Sequence, residues 1–342
     1  MIGILGFVAL FGAGRWLGWA ARWVWLAAWG WLCVLLLAHA PYMPRELGAF
    51  VGGEFRGWFV LGVLAALVLV YRAGLSRVRG RVAPVAGAKA GTFSPVELDR
   101  YARHIMLREI GGPGQKSLRA ARVLVVGAGG LGSPALMYLA ASGVGVIGVI
   151  DGDAVEGSNL QRQIIHADAR IGMPKVFSAE IAMKALNPFI EVRPYHRQLE
   201  DAFAAELVAE YDLVLDGTDN FDTRYLVNRV CAAAGKPLIA AAITQWEGQI
   251  SLYDPAQGGP CFECVFPVRP APGMVPSCAE AGVAAPLPGV IGAMMAMEAV
   301  KALTGAGEGL RGRLMIHDAL YAETRVIGVK RRAGCAACGG QR

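Results

Sequence analysis

The hydrophobic pattern divides the chain into two stretches of different character. Over residues 1–71 apolar side chains run almost unbroken in three blocks, 1–14, 23–40 and 57–71. Such blocks predict helices that are apolar all round, and the second and third approach the roughly 20 residues of a membrane span. The first is shorter and suits either a span extended to Arg15 or a helix lying at an interface. Residues 73–92, rich in Gly, Ala and Arg, read as a flexible linker. From Phe93 onward short β-branched runs alternate with helical stretches. Ser94, Pro95 and Glu97 predict a capped helix over Phe93–Arg103. Strands are predicted at Arg122–Val126, Val144–Ile150, Ile190–Pro194, Asp212–Leu215 and Leu238–Ala242, and Ser133–Pro134 predict the cap of a helix running to Ser142. This alternation predicts an α/β domain: a Rossmann-like, mainly parallel sheet with flanking helices and ligands at the carboxyl ends of its strands.

Charge follows the same division. The first 92 residues hold nine basic and two acidic side chains, whereas residues 93–342 hold 24 Lys and Arg against 25 Asp and Glu. The whole chain's +6 therefore comes from its N-terminal part. Arg72, Arg77, Arg79, Arg81 and Lys89 follow the last apolar block directly. This positive-inside pattern predicts a multi-pass anchor in the cytoplasmic (inner) membrane, with the α/β domain facing the cytoplasm. A nearly neutral α/β domain argues against a nucleic-acid partner. No basic segment precedes the first apolar block, so a cleaved signal peptide is not expected. The expected organisation is an anchor of two or three helices over 1–72, a linker over 73–92 and one α/β domain over 93–342.

The stretch VLVVGAGGLGSPALM places Gly127, Gly129, Gly130 and Gly132 between a strand and a helix. Glycines at a helix start let a backbone approach a phosphate, and the helix N-terminus supplies N–H groups and positive potential. Asp151, at the end of the next strand, has the spacing of a ribose-binding acid. Both features fit NAD and ATP equally. Asn159, Arg162 and Lys175 favour a triphosphate, because cations are needed where charge moves onto departing pyrophosphate and hydride transfer has no such need. Asp216 and Asp219 in DLVLDGTDN lie at a strand's carboxyl end, where Mg²⁺ is held; Asp219 is the preferred ligand, since Asp216 reads equally well as a turn or capping residue.

Cysteines add a separate signal. CFEC (Cys261, Cys264) and CAAC (Cys335, Cys338) have the spacing of a four-thiolate Zn²⁺ knuckle joining two distant parts of the chain. Two disulfides are not expected in a cytoplasmic domain. Cys33 and Cys231 read as small buried residues. Cys278, in the Pro/Gly-rich PSCAEAG, reads either as a nucleophilic loop thiol or as an inert one.

Taken in order, RYARHIML, GAGGLG, the DGD and SNLQRQ segments, DLVLDGTDN, the paired cysteines and SCAEAG resemble the MoeB/ThiF/HesA family, the bacterial relatives of ubiquitin-activating enzymes. The resemblance covers about Phe93 to Gly340. It implies an adenylyltransferase that uses ATP to activate the C-terminal glycine of a small ubiquitin-like sulfur carrier ending in Gly-Gly, MoaD-like or, next, ThiS-like. It further implies a nucleotide site of Gly127, Gly129, Gly130, Gly132, Asp151, Asp153, Asn159, Arg162, Lys175 and Asp219, with Mg²⁺ at Asp219. Arg103 would reach into a partner subunit's site, making a homodimer the working unit. Cys278 aligns with a loop cysteine that carries a covalent sulfur link in some members. An N-terminal anchor is additional to the family pattern, and no rhodanese-like domain follows Cys338, so a separate sulfurtransferase is expected. The competing readings are a non-catalytic membrane-anchored docking protein and an NAD-dependent oxidoreductase. The latter leaves Arg162, Lys175 and the cysteine pairs without a role.

Overall fold

The computed structural model describes residues 2–16, 21–40, 43–81, 93–271 and 281–339. It divides into two units, Met1–Ala88 and Lys89–Arg342. The N-terminal unit consists of helices Ile2–Trp16, Ala21–Ala38, Arg45–Val51 and Phe55–Arg81. Ala28, Leu32 and Leu35 face inward, and the indole of Trp31 donates to the Gly3 carbonyl at 2.9 Å. Apolar side chains such as Val8, Phe50, Leu64 and Val70 face outward. Cys33 is also exposed, contrary to the expectation that it is buried, because it falls on the outer face of its helix. The last helix runs on to Arg81, through the first nine residues of the segment read as linker. Ala, Leu and Arg there are good helix formers. Among the described residues, the helix long and apolar enough to cross a membrane is Pro286–Thr304, half of it buried in the other unit; the apolar stretches Ala27–Ala38 and Phe55–Tyr71 are shorter.

The C-terminal unit is built on eight strands: β1 (Arg122–Val126), β2 (Val146–Ile150), β3 (Glu191–Tyr195), β4 (Leu213–Asp216), β5 (Leu238–Thr244), β6 (Glu247–Tyr253), β7 (Arg313–Asp318) and β8 (Glu323–Gly328). Their order is β3-β2-β1-β4-β5-β6-β7-β8, with β1 to β5 parallel and β6 to β8 antiparallel. The parallel strands match the expected ones to within two residues at each end, and the antiparallel extension is additional to them. Val123 and Val125 face one layer of helices (Gly132–Ser142, Lys175–Leu186, Pro286–Thr304), while Leu124 and Val126 face the other (Asp201–Ala209, Phe221–Ala234). Both faces of β1 are therefore dry, which explains its unbroken apolar sequence. The Ser94 cap forms as expected: its Oγ accepts from Glu97 N, and Glu97 Oε2 accepts from Ser94 N at 2.8 Å. Ser133 does not cap. The helix already begins at Gly132, so Ser133 lies inside its first turn with a buried Oγ that has no partner among the described residues.

Strand order reverses between β1 and β4, which opens a crevice at their carboxyl ends. The glycine turn after β1 is fixed there by backbone constraints. Gly127 has φ +93°, and a Cβ on Gly132 would lie 1.9 Å from the Gly127 carbonyl oxygen. Ala128 N donates to Asp151 Oδ2 at 2.8 Å. The Ala128 carbonyl accepts from His166 Nε2 at 2.9 Å, which leaves Nδ1 to accept the Ser178 hydroxyl at 2.9 Å. A neutral ring meets both demands. Burial, opposed by the bond to Ala128, holds the pKa of His166 below the ordinary histidine value.

The paired cysteines lie together far along the chain from one another. Cys261, Cys264, Cys335 and Cys338 are all buried, and their sulfurs fall within 4.8 Å of one another. Individual separations are 3.4 Å (264–338), 3.6 Å (261–335) and 3.7 Å (261–264). Tetrahedral Zn²⁺ with bonds of about 2.3 Å sets sulfurs ~3.8 Å apart, so the four thiols fit this ion. Burial raises the Cys261 thiol. At Cys335 burial is outweighed by the N–H groups of Cys338 and Ala337, which hold the thiol at about 7.

Two outcomes are expected. Because His166 has a depressed pKa in the folded chain, the unfolded chain takes up the proton first as pH falls. Its stabilising contribution is complete above about pH 6.5 and is lost progressively below that. Thermal melts between pH 7.5 and 5.5 will show this loss, and His166→Gln will flatten the slope; identical slopes in the two proteins would contradict the assignment. The wild-type chain is expected to retain zinc on purification, and Cys338→Ser to lose it and to melt at least ~5 °C lower, read by metal analysis and melting together.

Candidate functional site

A cavity of about 850 Å³ opens over the carboxyl ends of β1, β2 and β4. It gathers most of the predicted residues: Gly127, Gly129, Gly130, Asp151, Asp153, Asn159, Arg162, Lys175 and Asp219 all line it. Gly132 stands behind the turn and closes it. In the helix that starts there Ser133 N is taken by the Gly129 carbonyl at 2.9 Å and Pro134 has no N–H, so the helix acts on the cavity mainly through its positive end.

Each polar side chain is held by a neighbour. Asp151 accepts from Ala128 N through Oδ2 and from Asp153 N through Oδ1, both at 2.8 Å. Its carboxylate is thereby oriented while lone pairs remain for a hydroxyl. Lys175 opens its helix, and its Nζ lies 2.7 Å from Asp153 Oδ2. The lysine side chain is 7% exposed and the aspartate 59%. An ammonium this buried needs a counter-charge, and the exposed aspartate supplies it. An incoming phosphate brings the same sign of charge and can take its place. The Arg162 guanidinium donates to Asn159 Oδ1 at 2.9 Å, a neutral partner, and this is the hydrogen bond its side chain makes among the described residues. Its positive charge is left for a ligand.

Asp216 and Asp219 differ in exposure and partners. Asp216 is fully buried, with Oδ1 accepting from both Thr218 N (2.9 Å) and Thr218 Oγ1 (2.6 Å). It shapes the turn, whereas Asp219 is exposed on the cavity wall. Arg103 does not line the cavity; it lies exposed on the helix Pro95–Ile105. Cys278 falls outside the described residues.

The cavity has members that the sequence reading did not single out. Gln163 lines the phosphate end, 5% exposed, with an Oε1 that has no partner among the described residues. Arg224 and Thr218 line the β4 side. Phe221, Tyr225, Phe262 and Phe266 form an apolar end opposite the cations. The available signals were positional: Gln163 directly follows Arg162, and Phe262 stands between the first two cysteines. Chemically, the cavity joins an anion-binding end with a carboxylate on its wall to an apolar recess that suits a second reactant.

Comparison with known proteins agrees with this geometry. The ThiF family matches residues 101–337. The chain is 48% identical over 247 residues to a protein of Thermus thermophilus named sulfur carrier protein adenylyltransferase, covering 71% of this chain and 91% of that one. It is 47% identical over 248 residues to the SAMP-activating enzyme E1 of Haloferax volcanii, with 72% and 91% covered. It is 48% identical to bovine adenylyltransferase and sulfurtransferase MOCS3, but spans 54% of that protein. Among solved structures, E. coli MccB with ATP superposes with a TM-score of 0.60 at 26% identity, covering 70% of this chain and 74% of that one. On these matches the chain belongs to the ThiF family and is an adenylyltransferase.

Proposed function

We propose that the chain uses Mg·ATP to adenylate the C-terminal glycine carboxylate of a small ubiquitin-like sulfur carrier ending in Gly-Gly, MoaD-like in molybdopterin synthesis ahead of ThiS-like in thiamine synthesis. The observation that carries this reading is the charge arrangement of the cavity: Arg162 without an acid, Lys175 paired with an exposed one, and Asp219 exposed on the wall. The carrier carboxylate attacks the α-phosphorus, a carboxyl–phosphorus bond forms, and the bond to the bridging oxygen breaks. Charge gathers on the departing pyrophosphate, where Arg162 and Lys175 stabilise it. Asp151 takes the ribose and Asp219 the Mg²⁺, which would shield the phosphates. The printed names of the relatives, sulfur carrier protein adenylyltransferase among them, support a carrier of this class.

The homodimer belongs to the same reading. Arg103 is exposed and away from its own chain's cavity, as a residue supplied to a partner subunit must be. Cys278 is the candidate for a covalent sulfur link. The outward apolar side chains of the N-terminal helices, followed by Arg72, Arg77, Arg79 and Arg81, support a membrane anchor that holds the adenylation domain at the cytoplasmic face.

ATP–pyrophosphate exchange with a purified Gly-Gly carrier tests the chemistry. Arg162→Ala and Asp219→Ala are each expected to lower exchange by about 100-fold while leaving the melting temperature within a few degrees of wild type. Absence of exchange with every MoaD-like and ThiS-like carrier would remove the reading. For the anchor, the full chain is expected to float with anionic phospholipid vesicles and a chain beginning at residue 93 to remain behind; equal flotation of both would refute it.

A further inference from the structure

The cysteine cluster and the Asp219 loop are connected through one face of the helix Phe221–Ala234. Asn228, 1% exposed, sits at its centre. Its Oδ1 accepts from Phe262 N at 2.8 Å, while its Nδ2 donates to Glu263 Oε1 at 3.0 Å and faces Cys261 Sγ at 3.9 Å. One turn earlier, Arg224 donates to the carbonyls of Thr218 and of Ala241, the latter at 2.9 Å, and its guanidinium lies 5.7 Å from the Phe262 ring centre. Thr218 directly precedes Asp219, and Phe262 directly follows Cys261. Buried Asn228, Arg224 and Phe262 thus link the cysteine cluster to the segment that leads into Asp219.

We propose that Asn228 is a positioning residue through which the zinc-bound cysteines set the loop carrying Asp219, so that zinc and nucleotide bind cooperatively. The inference rests on the reading of the cavity as an ATP site and goes beyond it, since a metal that only tied two chain segments together would not sense the cavity's contents. Asn228 is suited to the role because both ends of its amide are engaged. Its Nδ2 faces the Cys261 sulfur while its Oδ1 holds Phe262 N, so any shift of the cysteine loop is passed to the helix face bearing Arg224. Coupling of this kind is reciprocal: what zinc contributes to nucleotide affinity, nucleotide contributes to zinc retention.

The experiment uses the full chain with zinc bound and a zinc-selective chelator that leaves Mg²⁺ in solution. Zinc release is timed with and without Mg²⁺ and a non-hydrolysable ATP analogue. Wild type is expected to release zinc at least ~3-fold more slowly with the analogue, the low end of coupling between sites. Arg162→Ala, which leaves the Asn228 contacts in place but weakens the analogue, is expected to show no protection. Asn228→Ala is expected to bind the analogue ~10-fold more weakly, as for loss of a buried hydrogen-bonding group, and to show no protection even when saturated. Asn228→Ser, smaller but still polar, gives the same reading should the alanine variant fail to fold. Equal release rates in wild type with and without bound analogue would overturn the proposal, as would wild-type protection in either Asn228 variant. A wild-type chain that binds no analogue by equilibrium dialysis would instead remove the ATP reading, and this coupling with it.

Discussion

The site depends on an approach between two backbone segments that leaves no room for a side chain. Gly132 passes so close to the Gly127 carbonyl that a Cβ would overlap it, and Gly127 itself needs a positive φ. Together these turn the chain sharply out of β1 and bring the start of the next helix to the point where strand order reverses. Everything else in the cavity is arranged around that helix start. Asp151 and His166 hold the turn through the N–H and the carbonyl of the same residue, Ala128. Ser178, the other partner of His166, lies one turn from Lys175 on the same helix. The glycine turn and the lysine are thus parts of one hydrogen-bonded frame.

The charges in that frame differ in how firmly they are committed. Arg224 is buried, bonded to two carbonyls and 3.9 Å from Asp216, so it is part of the architecture. Lys175 is paired with an exposed acid and Arg162 with a neutral amide. An arginine held by two carbonyls resists displacement, whereas an exposed aspartate can give way to a stronger anion. The cavity is therefore rigid on the β4 side and electrostatically adaptable on the side of β1 and β2.

Much of this was legible in the sequence, for identifiable reasons. Strands buried on both faces read as continuous apolar runs, so β1, β2, β4 and β5 were visible within a residue or two. The glycine turn and the cysteine pairs were visible because few backbone geometries and few ions accept those residues at that spacing. β8 was invisible because all six of its residues are exposed, leaving no alternation to detect. β6 carries Gly248 where Ile291 packs against the strand, which interrupts its pattern. Ser133 misled because a serine before a proline resembles a cap whether or not the helix has already begun. Phe262, Phe266 and Asn228 could not be assigned to the site, because their neighbours there are set by tertiary packing.

The two cysteine pairs lie 74 residues apart, measured from Cys261 to Cys335. During synthesis the first pair emerges with only half a coordination shell, and the second arrives after the whole of β7 and β8 has been made. A chain interrupted anywhere in that interval carries two unsatisfied thiols beside the wall of its own cavity. The four thiols cannot come together before β7 and β8 have been made, which ties closure of the cluster to the folding of the sheet's antiparallel edge.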